Sequence, residues 1–287
     1  MAFFELLQTN TVALLATVLV LGLLVGSFLN VVIYRLPVMM QNAWVREAAE
    51  MNGEPEPEQP RFNLIKPDST CPSCGHLIRA WENIPVVSYL ALGGRCSQCK
   101  TRISPRYPIV ELVTGLMSLA VAWQFSGTLQ TAALLVFFWA LIALTMIDVD
   151  HQLLPDTLTL PLLWLGLLLN IGETFVPIEQ AVVGAVAGYL SLWSIYWAFK
   201  LLTGKEGMGY GDFKLFAAFG AWFGWAALPL IILLSSLVGA VVGLAMIVIM
   251  GRDRQIPIPF GPYLCGAALV YVFWGSAITA WYLGSFA

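Results

Sequence analysis

Long apolar runs separated by short polar joints make up most of this chain, and one polar stretch of about 70 residues interrupts them near the start. The apolar runs fall at 11–34, 108–125, 129–147, 157–171, 181–199, 215–228, 229–250 and 260–282. A helix that spans a bilayer needs about 20 such residues. The fourth and sixth runs are short, and Pro229 is the only joint between the sixth and seventh. The pattern predicts an all-α polytopic membrane protein of eight spanning helices, with a small polar insert between the first two. Its organisation is then a first helix at 1–34, an insert at 35–107 and a seven-helix body at 108–287. The first run has no positive n-region or small-residue cleavage site, so it reads as a retained helix and not a removable signal.

Composition sharpens this picture. Of 287 residues, 59% are hydrophobic and only 11% charged, with a mean hydropathy of +0.80. Soluble domains carry about 25% charged residues, because polar side chains must cover their surface. A soluble enzyme and a disordered chain are both excluded. The net charge of −3 supplies no field for phosphate backbones, so no nucleic-acid partner is expected and the lipid bilayer is.

The charges are also sorted along the chain. Nine of the 14 Lys and Arg lie between Arg35 and Arg106. With eight spans, the fifth connecting loop holds Lys200, Lys205 and Lys214, the seventh holds Arg252 and Arg254, and the even loops and both termini hold none. Positive residues mark cytoplasmic loops. The insert is therefore expected in the cytoplasm and both termini on the opposite side.

Four of the five cysteines sit in the insert as Cys71-Pro-Ser-Cys74 and Cys96-Ser-Gln-Cys99, 21 residues apart. Paired CxxC knuckles form a tetrahedral thiolate cage for zinc, and a reducing cytoplasm disfavours disulfides. Four thiolates leave no open position for water, so the expected Zn2+ is structural and its binding energy folds a segment with a thin core. His76, just past the first knuckle, reads as an exposed polar residue. The stretch 53–67, with Glu54, Glu56, Glu58 and four prolines, reads as an exposed loop. Cys265 in the last run reads as a small buried hydrophobe.

Acids in or beside apolar helices are costly and point to function. Glu111, Asp148, Asp150, Asp156 and Asp212 occupy such places, all at expected cytoplasmic ends of spans. Two carboxylates brought from different helices to one depth share a single proton, because like charges held close cannot both ionise. Such a pair offers one group to activate water and one to polarise an amide carbonyl. Asp148 and Asp212 are the expected pair. Asp150 points away from Asp148 on a helix and reads as solvated, while Asp156 reads as a helix cap. Three glycines just before Asp212 favour close backbone approach.

The stretch Gly209-Tyr-Gly211-Asp212 resembles the GxGD signature of intramembrane-type aspartyl proteases. Asp148 with Pro155-Asp156, the segment from Gly26 through Asn30 to Arg35 and Pro37, the two knuckles, and Ile103-Ser-Pro-Arg106-Tyr-Pro108-Ile-Val-Glu111 together resemble the bacterial type IV prepilin peptidases. The likeness covers essentially the whole chain, with the motifs in family order. It implies a multi-pass inner-membrane aspartyl endopeptidase that removes the leader of type IV prepilins and pseudopilins at the cytoplasmic face. It also implies methylation of the new N-terminal residue with S-adenosyl-L-methionine. By position, Asp148 and Asp212 match the catalytic acids. Nothing in the residues alone yields the methyltransferase, since no Gly-rich nucleotide-binding turn is present. Glu111 is the candidate for the methyl-donor site, because a carboxylate attracts a sulfonium and accepts a proton. The competing role for Glu111 is an ion pair with Arg35 or Arg106 that anchors the insert. A proton-coupled transporter would place its acids near mid-membrane. A zinc-clipped scaffold of a secretion or pilus apparatus would need no acid pair.

Overall fold

The computed structural model describes residues 7, 9–55, 61–250 and 258–284. Glu56 and Glu58 of the expected loop, and Arg252 and Arg254 of the last charged joint, lie outside the described residues. Among these residues every regular element is helical: α1 Thr11–Asn52, α2 Val87–Ala91, α3 Arg106–Phe125, α4 Leu129–His151, α5 Asp156–Ile171, α6 Ile178–Thr203, α7 Tyr210–Phe223, α8 Leu228–Met250 and α9 Gly261–Gly284. The chain divides into two compact units, Met1–Ala143 and Leu144–Ala287.

Eight of these helices correspond to the eight apolar runs, and six are long and apolar enough to cross a membrane. The other two are α5 with 16 residues and α7 with 14. At 1.5 Å per residue, 14 residues reach about 21 Å, short of a hydrocarbon core of about 30 Å. Of the two, α7 is the more enclosed. All its residues from Leu215 to Phe223 are buried, so its apolar run records a place inside the second unit and not a face turned to lipid. Apolar composition alone does not separate those two environments.

Helix α1 also departs from the pattern. Its apolar part ends near Tyr34, yet the helix continues through Pro37 to Asn52. A proline removes one helical hydrogen bond, and here the helix passes through it with Leu36 and Pro37 buried. The end is set instead by Gly53, whose φ of 68° and N–H bonds to the carbonyls of Ala49 and Glu50 close the last turn.

In the first unit α1 lies along α3. A Cβ at Gly26 would sit 2.7 Å from the Glu111 Cα, so the two backbones nearly touch where Glu111 enters the fold. Small residues permit this approach in membrane helices. In the second unit α7 is packed between α5 and α6, and α8 lies against α9. Asn170, fully buried in α5, donates to the carbonyls of Ala221 and Trp222. It also accepts from the N–H groups of Phe175 and Val176. Trp222 Nε1 returns a bond of 2.8 Å to the Leu162 carbonyl. These bonds satisfy the end of α7 inside an apolar interior, where unpaired backbone groups are expensive.

Candidate active site and metal-binding insert

Asp148 stands in the last turn of α4 and Asp212 in the first turn of α7. Both are nearly buried, at 5% and 6% exposure, and both belong to the second unit. Each is held by a backbone N–H at its Oδ2. Gly261, the first residue of α9, donates to Asp148 at 2.9 Å, and Gly209 donates to Asp212 at 3.2 Å. The second bond reaches back across the start of α7, so Asp212 caps its own helix from the third position. The carboxylates lie within electrostatic reach of one another. Cys265 on α9 is buried at 4% exposure, close to Thr145 and to both carboxylates. The buried hydrophobe expected from the sequence thus lies beside the acids.

Gly261 was not singled out by the sequence, and its role is steric as well as polar. A Cβ there would fall 2.7 Å from Asp148 Oδ2, so only glycine lets the backbone come this near. The available signal was Phe260-Gly261-Pro262 at the start of the last apolar run. Asp150 is exposed, as expected. Asp156 is not a capping side chain. Pro155 occupies the cap position of α5, and Asp156, first in the helix, binds Lys214 Nζ with both oxygens at 2.7 Å.

The insert brings Cys71, Cys74, Cys96 and Cys99 together, with all four sulfurs within 4.8 Å of one another. Cys71 and Cys99 are 3.7 Å apart, and Cys74 and Cys96 are 4.0 Å apart. Metal–sulfur bonds of about 2.3 Å in a tetrahedron require sulfur separations of about 3.8 Å, so these four cysteines are poised to bind a metal ion. The two knuckles repeat one local structure. Cys71 N–H bonds the His76 carbonyl and Cys96 N–H bonds the Thr101 carbonyl, and each turn closes on a left-handed residue, Gly75 or Lys100. Thr101 and its backbone draw the Cys99 thiol down to about 6. The N–H groups of Ser73 and Cys74 lower that of Cys71, whereas, against a bond from the His76 backbone, burial and the neighbouring thiols push Cys74 up to about 11; two of the four thiols are thus drawn toward the thiolate a metal needs.

His76 differs from expectation. Its side chain is only 10% exposed and its Nε2 lies 3.1 Å from Glu82 Oε2 and 3.3 Å from Ser97 Oγ. Ser97 sits inside the second knuckle, so His76 and Glu82 tie the two knuckles together. The Ser97 hydroxyl and the Arg79 N–H hold the Glu82 carboxyl down near 2.

Glu111, 8% exposed, accepts a 2.7 Å bond from the N–H of Val86 in the insert. Val86 carries a φ of 61°, unusual for a β-branched residue. Arg35 donates to the Asn63 carbonyl at 3.0 Å and lies over the Phe62 ring. Asn30 donates to the Tyr107 carbonyl. The insert is therefore fixed to α1 and α3 through its backbone, with Glu111 pinned to Val86 and Arg35 to Asn63.

Fold and site together define an all-helical membrane protein with a buried pair of aspartates and a metal-binding tetracysteine insert. Residues 20–125 match the bacterial peptidase A24 N-terminal domain, and residues 135–244 match the type IV leader peptidase family. A Pseudomonas aeruginosa protein named prepilin leader peptidase/N-methyltransferase is 57% identical over 284 residues, covering 99% of this chain and 98% of its own. A protein of the same name from Stutzerimonas stutzeri is 59% identical over 97% of both chains. One from Legionella pneumophila is 48% identical over 92% of both. No solved structure gives a significant match. The chain belongs to the type IV leader peptidase family.

Proposed function

We infer that this chain is an inner-membrane prepilin leader peptidase and N-methyltransferase, in which Asp148 and Asp212 cut the leader peptide. The observation that carries the reading is the burial of two carboxylates from separate helices within electrostatic reach of one another in a chain this similar to proteins of that name. One carboxylate takes a proton from water while the other, protonated, donates to the scissile carbonyl; the roles follow from the pair sharing one proton. The Gly209 and Gly261 N–H groups each hold one carboxylate oxygen, which orients the acids for the reaction. The substrates are type IV prepilins and pseudopilins.

The basic residues of the insert and of the 200–214 segment support a cytoplasmic placement for the insert and the acids, with both termini periplasmic. The four insert cysteines would hold a structural Zn2+. S-adenosyl-L-methionine would supply the methyl group, and the buried Glu111 carboxylate is the group in this chain suited to attract its charge and take up the amine proton.

The decisive test is incubation of the purified chain with one prepilin and S-adenosyl-L-methionine, followed by mass measurement of the products. Loss of the leader and gain of one methyl group are expected. An intact prepilin in the presence of well-folded protein would overturn the reading and favour the scaffold alternative.

A further inference from the structure

The connector that leaves α4 after Asp148 reaches α7, which carries Asp212, and the start of α9. After Asp148 the chain leaves α4 at Gln152, where φ is 54°, and reaches α5 at Asp156. Leu154, midway along this connector, fills the space beside two glycines. A Cβ at Gly211 would lie 2.7 Å from Leu154 Cβ, and one at Gly261 would lie 3.1 Å from Leu154 Cδ2. Gly211 directly precedes Asp212, and Gly261 is the donor that holds Asp148. Two residues farther on, Asp156 receives Lys214 Nζ on both oxygens at 2.7 Å. Lys214 stands two residues after Asp212. The connector that follows one acid is thus fastened on both sides of the other.

We propose that the Asp156–Lys214 ion pair, together with Leu154 seated between Gly211 and Gly261, is a clamp that sets the separation of Asp148 and Asp212. Asp156 and Lys214 are then positioning residues for peptide cleavage. The proposal rests on the reading of Asp148 and Asp212 as the catalytic pair. Stability alone gives little reason for this contact, since the two side chains are 54% and 27% exposed and pairs so placed contribute little. Geometry gives a stronger one. Two acids that must share a proton and meet one peptide bond tolerate small displacements poorly, with errors of about 1 Å costing up to about a hundredfold in rate. Lys214 also interrupts a run of buried residues from Phe213 to Phe223, where an apolar side chain would otherwise fit the pattern.

The test is steady-state cleavage of a prepilin by the full chain and by Asp156→Asn, Lys214→Met, the double variant and Lys214→Arg, each with its thermal unfolding midpoint. Asp148→Asn is run beside them. Each single change should lower kcat at least about tenfold with KM little altered. The double variant should be no slower than either single, because the clamp is already open. Lys214→Arg keeps the charge and should recover most of kcat, and all midpoints should stay near that of the parent. Parental kcat in either single variant would overturn the clamp, as would multiplying losses in the double. It would also fall if kcat followed the unfolding midpoint across the series. Cleavage by Asp148→Asn would instead overturn the catalytic reading on which the clamp depends.

Discussion

Asp148 and Asp212 differ from the other acids of this chain in burial and in what holds them. Each accepts a backbone N–H within an apolar surrounding, whereas Asp150 in the same helical turn is exposed. Asparagine preserves shape and the accepted bond but neither ionises nor passes a proton. Asp148→Asn and Asp212→Asn should therefore each abolish detectable prepilin cleavage in folded protein, while Asp150→Asn should keep most of it; product masses at matched protein concentration decide this. These acids were legible in the sequence because a carboxylate in an apolar run has few reasons to exist. Asp156 reads as a cap in the sequence for a related reason. Local spacing offers a helix start, and the partner that claims its side chain is Lys214, 58 positions away. Gly261 escaped notice altogether, since the need for a missing Cβ exists only once Asp148 is beside it.

Among the helices, hydrophobic runs located eight elements but not their surroundings. Helix α7 reads like a short span, and the structure encloses it within its unit, a placement that depends on neighbours and not on periodicity. What fixes its far end is Asn170, which serves two carbonyls of α7 and two N–H groups of the turn that follows α5. A lone asparagine in an apolar run gives no hint of four partners. Asn170→Leu would strand those groups in a dry interior at about 1–3 kcal/mol for each one left unpaired. We expect a loss of at least about 3 kcal/mol, and a lower thermal unfolding midpoint in detergent. Activity at low temperature should persist in the fraction that folds, because Asn170 binds the opposite end of α7 from Asp212. An unchanged midpoint would mean water replaces the lost partners.

At the scale of the molecule, the acid pair falls in Leu144–Ala287 and the tetracysteine insert, with Glu111, in Met1–Ala143. The insert is too small to fold on apolar burial alone. Removing its metal with a chelator, or changing any of Cys71, Cys74, Cys96 or Cys99 to Ser, should loosen it. Methylation should suffer at least as much as cleavage; elemental analysis of protein purified under reducing conditions should find one zinc per chain, and none would exclude the assignment. Glu111 allows a finer separation, because its carboxylate both pins Val86 and carries a charge. Glutamine retains an oxygen that accepts from the Val86 N–H but has no charge; alanine removes both. If the charge serves the methyl donor, Glu111→Gln should keep the parental unfolding midpoint and parental cleavage while losing at least about tenfold in methylation, a step worth about 1.4 kcal/mol. Glu111→Ala should lose methylation and also release the insert, seen as faster backbone hydrogen exchange around residues 84–90. Methylation at the parental rate by Glu111→Gln would leave the Val86 bond as the whole role of this residue. The donor site would then have to be sought elsewhere in the chain.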